Sequence, residues 1–261
     1  MTAPANTETE ALPSPGVSPV AGLLLFAWLA LGTGLFLAEG LGGPLTFAFV
    51  IVGWVLTVMA HEFGHALVAW LGGDRTVAAK GYLTLDPRRY LDAGTSLVIP
   101  VIVLALGGIG FPGGAVYLRP DLMRGRLWRA ASSLAGPAFT FAALLLLSGA
   151  VAVLGATAPQ AQGLLSALAF LAYLQATALC LNLLPIPGLD GYGAVRPFLP
   201  AGLVRRLRKA ESLVFIGFVL LLLIYPPVSR QLFEAAAGLS AWAGVPRAPI
   251  VDGFDAFHFW R

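Results

Sequence analysis

Two of the chain's three histidines, His61 and His65, lie four residues apart with Glu62 between them in "MAHEFGHALVAW", one of the most apolar stretches of the sequence. On a helix this spacing projects both imidazoles from one face toward a common point and sets the carboxylate beside them. Neutral imidazole is a good zinc ligand, and a carboxylate next to a metal-bound water can act as a general base. The order H-E-x-x-H is therefore that of zinc hydrolases. An unpaired polar group in hydrocarbon costs several kcal/mol, so three of them in one apolar run call for a partner, and a single zinc ion supplies it.

Two histidines leave such a site incomplete, because a catalytic zinc usually has three protein ligands and an open position. His258 is near the end of the chain, and Cys180 is deep in another apolar run, where it reads as a small buried side chain. A carboxylate is the better donor. Asp86 and Asp92 in "LTLDPRRYLDAG" occupy ordinary turn positions. Asp190 in "NLLPIPGLDGYG" instead follows a helix-breaking Pro-Ile-Pro at the end of an apolar run. By helical rise, His61 and His65 are about 15 and 9 Å from the corresponding end of theirs, so the three can meet at similar depth. Asn182 is the only asparagine besides Asn6 and sits among leucines. Buried, it needs a partner, either the oxyanion of a tetrahedral intermediate or a neighbouring helix.

The elements that must position these groups are membrane spans. Of the 261 residues, 58% are hydrophobic and only 11% charged, which excludes an ordinary soluble domain and predicts an all-α polytopic membrane protein. Five apolar runs, 20–38, 47–71, 130–154, 164–184 and the short 212–225, are long enough or nearly so to cross a bilayer. A sixth, 97–111, ends in "ALGGIGFPGG" and is ambiguous. Loops 73–95, 112–129 and 186–210 hold thirteen of the sixteen Lys and Arg, so the positive-inside rule places all three in the cytoplasm. Segment 97–111 must then enter and leave on one side, as a re-entrant loop or hairpin. This gives about five to six spans and a site facing the cytoplasmic side.

Residues 1–19, rich in Pro, Thr, Ala and Glu, read as a disordered tail, 20–226 as one membrane-embedded metalloprotease domain, and 227–261 as a tail with a short amphipathic helix. The basic residues, spread over loops rather than gathered in one patch, are topology signals and imply no nucleic-acid partner.

"HEFGH" followed by "NLLPIPGLDG" resembles the site-2 protease family of intramembrane zinc metalloproteases. "GYLTLDPRRYLDAGTSLVIP" and the Ala-Gly-Pro of "SSLAGPAFTF" are similar to further family segments, so the resemblance covers about residues 55 to 200. It implies that His61, His65 and Asp190 bind the zinc, that Glu62 is the general base and that Asn182 contacts substrate or oxyanion. Where the family commonly has an asparagine shortly after Ala-Gly-Pro, this chain has Thr140. The implied substrates are membrane-spanning or membrane-associated proteins, and the implied location is a bacterial cytoplasmic membrane, crossed several times. A zinc transporter or sensor would use the same ligands without needing Glu62, and a proteolytically silent scaffold would need none of them.

Overall fold

The computed structural model describes residues 16, 18–37, 42–89 and 116–261. The expected re-entrant segment 97–111, Asp92 and nearly all of the N-terminal tail lie outside the described residues. Among the described residues all regular structure is helical: α1 (Pro19–Leu37), α2 (Gly43–Gly72), α3 (Thr76–Ala79), α4 (Arg126–Thr157), α5 (Gln162–Asn182), α6 (Asp190–Val195), α7 (Ala201–Ile224), α8 (Pro226–Trp242) and α9 (Arg247–Phe257).

Four of these, α1, α2, α4 and α5, are long and apolar enough to cross a membrane, and α7 with α8 forms a fifth candidate bent by 88°. The bend has a local cause. Pro226 and Pro227 begin α8, and the residue before a proline is pushed out of the helical region, so Tyr225 adopts φ −113°, ψ 93°. Large apolar side chains cover the outside: Leu23, Phe26 and Leu29 on α1, Leu146 on α4, Leu213 and Leu220 on α7. In water such a surface would drive aggregation, whereas lipid solvates it. The protein is an all-α polytopic membrane protein.

At the centre stands α5, with most of its residues buried from Gly163 to Asn182. It packs against α2, α4, α8 and α9. Small residues let the long helices approach: Gly64 of α2 lies against the Ala135 carbonyl and Phe139 ring of α4, and Gly53 against Leu171 of α5 and Trp28 of α1. The chain after Tyr225 lies along this core. Leu232, Ala236 and Ser240 form the buried face of α8, and α9 inserts Phe257 against Phe170 at 5.4 Å and Phe47 at 4.9 Å between ring centroids.

Past the end of α2 the chain turns through Gly73, whose φ of +120° favours glycine. Asp74 follows, with 0% exposure. One of its oxygens accepts from the Thr76 amide and hydroxyl at 3.1 and 2.6 Å, the other from the Arg119 amide at 2.7 Å. Arg124 N–H adds a bond to the Gly72 carbonyl at 2.9 Å. Together they fasten residues 116–124 across the end of α2. Asp74→Ala leaves those buried donors without an acceptor, at about 1–3 kcal/mol per group. The expected outcome is a lower unfolding temperature in detergent and faster proteolysis near Arg119. Wild-type resistance at that position would show that Asp74 is not the fastening.

Candidate metal centre

Helix α2 runs unbroken for 30 residues and places His61, Glu62 and His65, all buried, within its last three turns. Asp190 arrives from another direction. After α5 the sequence Pro185-Ile186-Pro187-Gly188 cannot continue a helix, Gly188 takes φ +98°, and Asp190 becomes the first residue of α6. Its two carboxylate oxygens lie 3.2 Å from His61 Nε2 and 3.3 Å from His65 Nε2, while the two Nε2 atoms are 3.0 Å apart.

The other ring nitrogens explain why these atoms need a cation. His65 Nδ1 donates to the Ser132 carbonyl at 2.7 Å, which fixes the tautomer and leaves Nε2 with a bare lone pair. His61 Nδ1 is paired with Thr140 Oγ1 at 2.8 Å. The His65 lone pair, His61 Nε2 and a carboxylate therefore converge on one point. They repel unless a positive charge lies between them. Nitrogen and oxygen ligands of a tetrahedral zinc stand roughly 3.3–3.6 Å from one another, as follows from bond lengths of about 2.0–2.2 Å, so the observed spacings need to open by only a few tenths of an ångström. Among the described residues these three are the group whose geometry could hold a metal ion.

Glu62 stands beside them without joining, and its Oε2 accepts from the Val116 amide at 3.1 Å. Asn182, at the end of α5, lines the same small cavity of about 20 Å³ as His61 and Glu62. The remaining candidates are elsewhere. Asp86 pairs with Arg88 at 2.8 Å, and that hydrogen bond holds its carboxyl below the usual carboxylate range. Cys180 packs near Phe215 and Phe218 of α7. His258 bonds to the Phe254 carbonyl among α9 aromatics, at the end of the bundle where Phe259 meets Gly43, the far end of α2 from His65.

Four contributors escaped the sequence reading: the Ser132 carbonyl, Gly136, Thr140 and the Val116 amide. A Cβ on Gly136 would strike Nε2 of both histidines, so only glycine lets α4 pass this close. Pro137, next to it inside α4, supplies no N–H to the carbonyl four residues back and opens the helix ladder in the turn that serves His65. The Ala-Gly-Pro motif was a visible signal for this approach, but no pattern marked the backbone carbonyl or amide. Thr140, noted only as a departure from the family, is the partner of His61.

The chain is similar over most of its length to proteins of known name. The chain is 42% identical over 247 residues to Rip2 of Mycolicibacterium smegmatis, covering 93% of this chain and 94% of that protein. It is 42% identical over 245 residues to Rip2 of Mycobacterium tuberculosis H37Rv, covering 94% and 91%. YwhC of Bacillus subtilis shares 31% over 180 residues, 66% of this chain and 79% of that protein. Each of the three is designated a zinc metalloprotease by name. No protein-family model matches the chain, nor does any solved structure. At this identity and coverage the chain belongs to the site-2 protease family of zinc metalloproteases.

Gly136→Ala is expected to lower zinc affinity by about 10- to 100-fold, the usual cost of disturbing groups that orient metal ligands. Titration against a competing chelator measures this, and unchanged affinity would mean that α4 yields freely at this contact.

Proposed function

We propose that the protein is an intramembrane zinc endopeptidase, with one zinc held by His61, His65 and Asp190, that hydrolyses peptide bonds of membrane-spanning or membrane-associated proteins. The observation that carries this reading is the placement of Glu62: a buried carboxylate beside a three-donor cluster, inside a helix long enough to span a membrane, with a cavity next to it. A site that only stored or carried metal would need no free carboxylate there.

Bound zinc supplies an acidified water and polarises the scissile carbonyl. The chain's own groups do the rest. Val116 N–H holds Glu62 Oε2, leaving Oε1 to take the water's proton and deliver it to the departing amine. Asn182, which lines the cavity beside His61 and Glu62, serves as the oxyanion donor in this reading. Ser132 and Thr140 keep the imidazoles turned so that Nε2 faces the ion. Because a helical substrate hides its carbonyls in hydrogen bonds, the segment to be cut must unwind, and the irregular backbone of residues 185–189 lies beside the site to receive it. The basic loops favour a site opening toward the cytoplasm across a bacterial cell membrane.

Purified protein is assayed for zinc and for cleavage of a transmembrane peptide. Wild type is expected to bind about one zinc and to cut. Glu62→Gln is expected to retain the metal and lose about 10²- to 10⁴-fold in rate, and Asp190→Ala to lose metal affinity and activity together. A Glu62→Gln variant that cuts at the wild-type rate would remove the proposed base.

A further inference from the structure

Positive-inside topology asks only that basic residues stay on one side of the bilayer. Four of those in loop 186–210 are more closely organised. Arg205, Arg206, Arg208 and Lys209, all exposed, lie on the N-terminal half of α7, and at 3.6 residues per turn they fall within about 160° of its circumference. Like charges three and four residues apart, as in Arg205 with Arg208 and Lys209, destabilise a helix. Glu211 is the only acid on α7, and none of the four cations forms an ion pair among the described residues. An anionic partner from outside the chain would offset their repulsion.

The rest of the helix points to that partner's chemistry. Directly after the cluster α7 becomes apolar, and Leu213, Ile216, Leu220 and Ile224 are exposed, a surface that lipid solvates. Lys209 and Arg205 precede Leu213 by four and eight residues, about 6 and 12 Å along the helix, so their long side chains reach the headgroup layer. Basic clusters in this position attract anionic headgroups, and a guanidinium matches a phosphate with two parallel hydrogen bonds.

The other side of α7 leads to the metal centre. Phe215, Phe218, Val219 and Leu222 form one stripe that packs with Cys180 and Leu181 of α5, with Leu184 and with α8. Leu222 is the only buried residue of the helix. Phe215 lies so close to Gly188 that a Cβ there would strike its ring, two residues before Asp190. A short apolar stripe that competes with equally apolar lipid sets the tilt and rotation of α7 weakly, which leaves that task to its interfacial charges.

We propose that Arg205, Arg206, Arg208 and Lys209 form a binding surface for anionic lipid headgroups, and that lipid held there seats Phe215 against Gly188 and so positions the turn carrying Asp190. Phe215 is a positioning residue that acts through this turn. The lipid surface is independent of the proteolytic reading, and the link to Asp190 rests only on its place among the zinc ligands.

The test uses the full chain in phosphatidylcholine nanodiscs that contain phosphatidylglycerol. A fluorophore on Gly202→Cys, with Cys180→Ala, reports the lipid beside the cluster, because a side chain at Gly202 meets open space one turn before Arg205 and Arg206. A nitroxide on the phosphatidylglycerol headgroup is expected to quench it at least about fivefold more than one on phosphatidylcholine, and changing all four cations to Gln removes that preference. In the same discs, without the label, the four-Gln variant is expected to bind zinc about tenfold more weakly by titration against a chelator. Removing positive charge near a cation site would by itself strengthen binding, so a fall reports the position of the turn. In a Phe215→Ala background the same four changes leave zinc affinity unaltered, because the link is already cut. Equal quenching by the two lipids overturns the lipid surface. Zinc affinity that is unchanged or higher in the four-Gln variant, or that falls equally in the Phe215→Ala background, overturns the link to Asp190. A wild type that binds no zinc would refute the metal centre and the link together, with the quenching still deciding the lipid surface.

Discussion

Two imidazole nitrogens and a carboxylate stand within 3.0–3.3 Å of one another in a buried part of a membrane bundle, and that convergence constrains everything around it. Lone pairs at this spacing are tolerable only around a positive charge. The helices must therefore deliver three side chains to one point and hold them there. α2 carries two on one face, a turn after α5 carries the third, and α4 passes close enough behind to orient both rings. Glycine appears where these elements touch: Gly136 against the imidazoles, Gly64 against α4, and Gly191 against the Leu183 carbonyl. At each of these positions a single added methyl group would force helices apart that the metal geometry requires together.

Polar side chains near the site are satisfied by backbone as much as by one another. The Ser132 carbonyl accepts from His65, and the Val116 and Arg119 amides donate to two buried acids, Glu62 and Asp74. Asp74 and Glu62 thus hold opposite ends of the same short segment, 116–119. The segment that closes off α2 is also the one that holds an oxygen of Glu62. Loosening it at Asp74 would be felt at Glu62 without any change in the metal ligands, a coupling carried by four residues of extended chain.

The HExxH pattern was legible because helical periodicity alone decides where residues i and i+4 point. Asp190 was legible for a different reason: charge placement orders the spans, and rise per residue then sets depth, so a carboxylate just beyond Pro-Ile-Pro stands level with His61 and His65. The supporting groups were not. Ser132, Gly136 and Thr140 matter through the rotation of α4 against α2, a quantity no one-dimensional pattern contains. Backbone donors and acceptors are present at nearly every residue and carry no sequence signature. The end of the chain shows a similar limit. An amphipathic face is visible in residues 226–242, yet amphipathicity does not say whether that face meets a bilayer surface or another helix, and here Leu232, Ala236 and Ser240 are buried in the bundle.

The docking of α8 and α9 has a mechanical consequence for the site they do not touch. α5 carries Gln175 and Asn182 on its own length and Asp190 on the turn that follows, so its axial position sets where the third ligand stands. A slide of one helical turn, about 5.4 Å, would carry Asp190 out of reach of both imidazoles. Apolar side chains against apolar side chains give little resistance to sliding inside a membrane, where every register is equally greasy. Discrete features do resist: Gly253 of α9 seated on the Ser166 carbonyl, Phe170 held against Phe254 and Phe257, and Gln175 bonded to Thr57. The first two act near the start of α5 and the last at its middle. Together they fix the helix along its length, and Asp190 beyond its far end inherits that register.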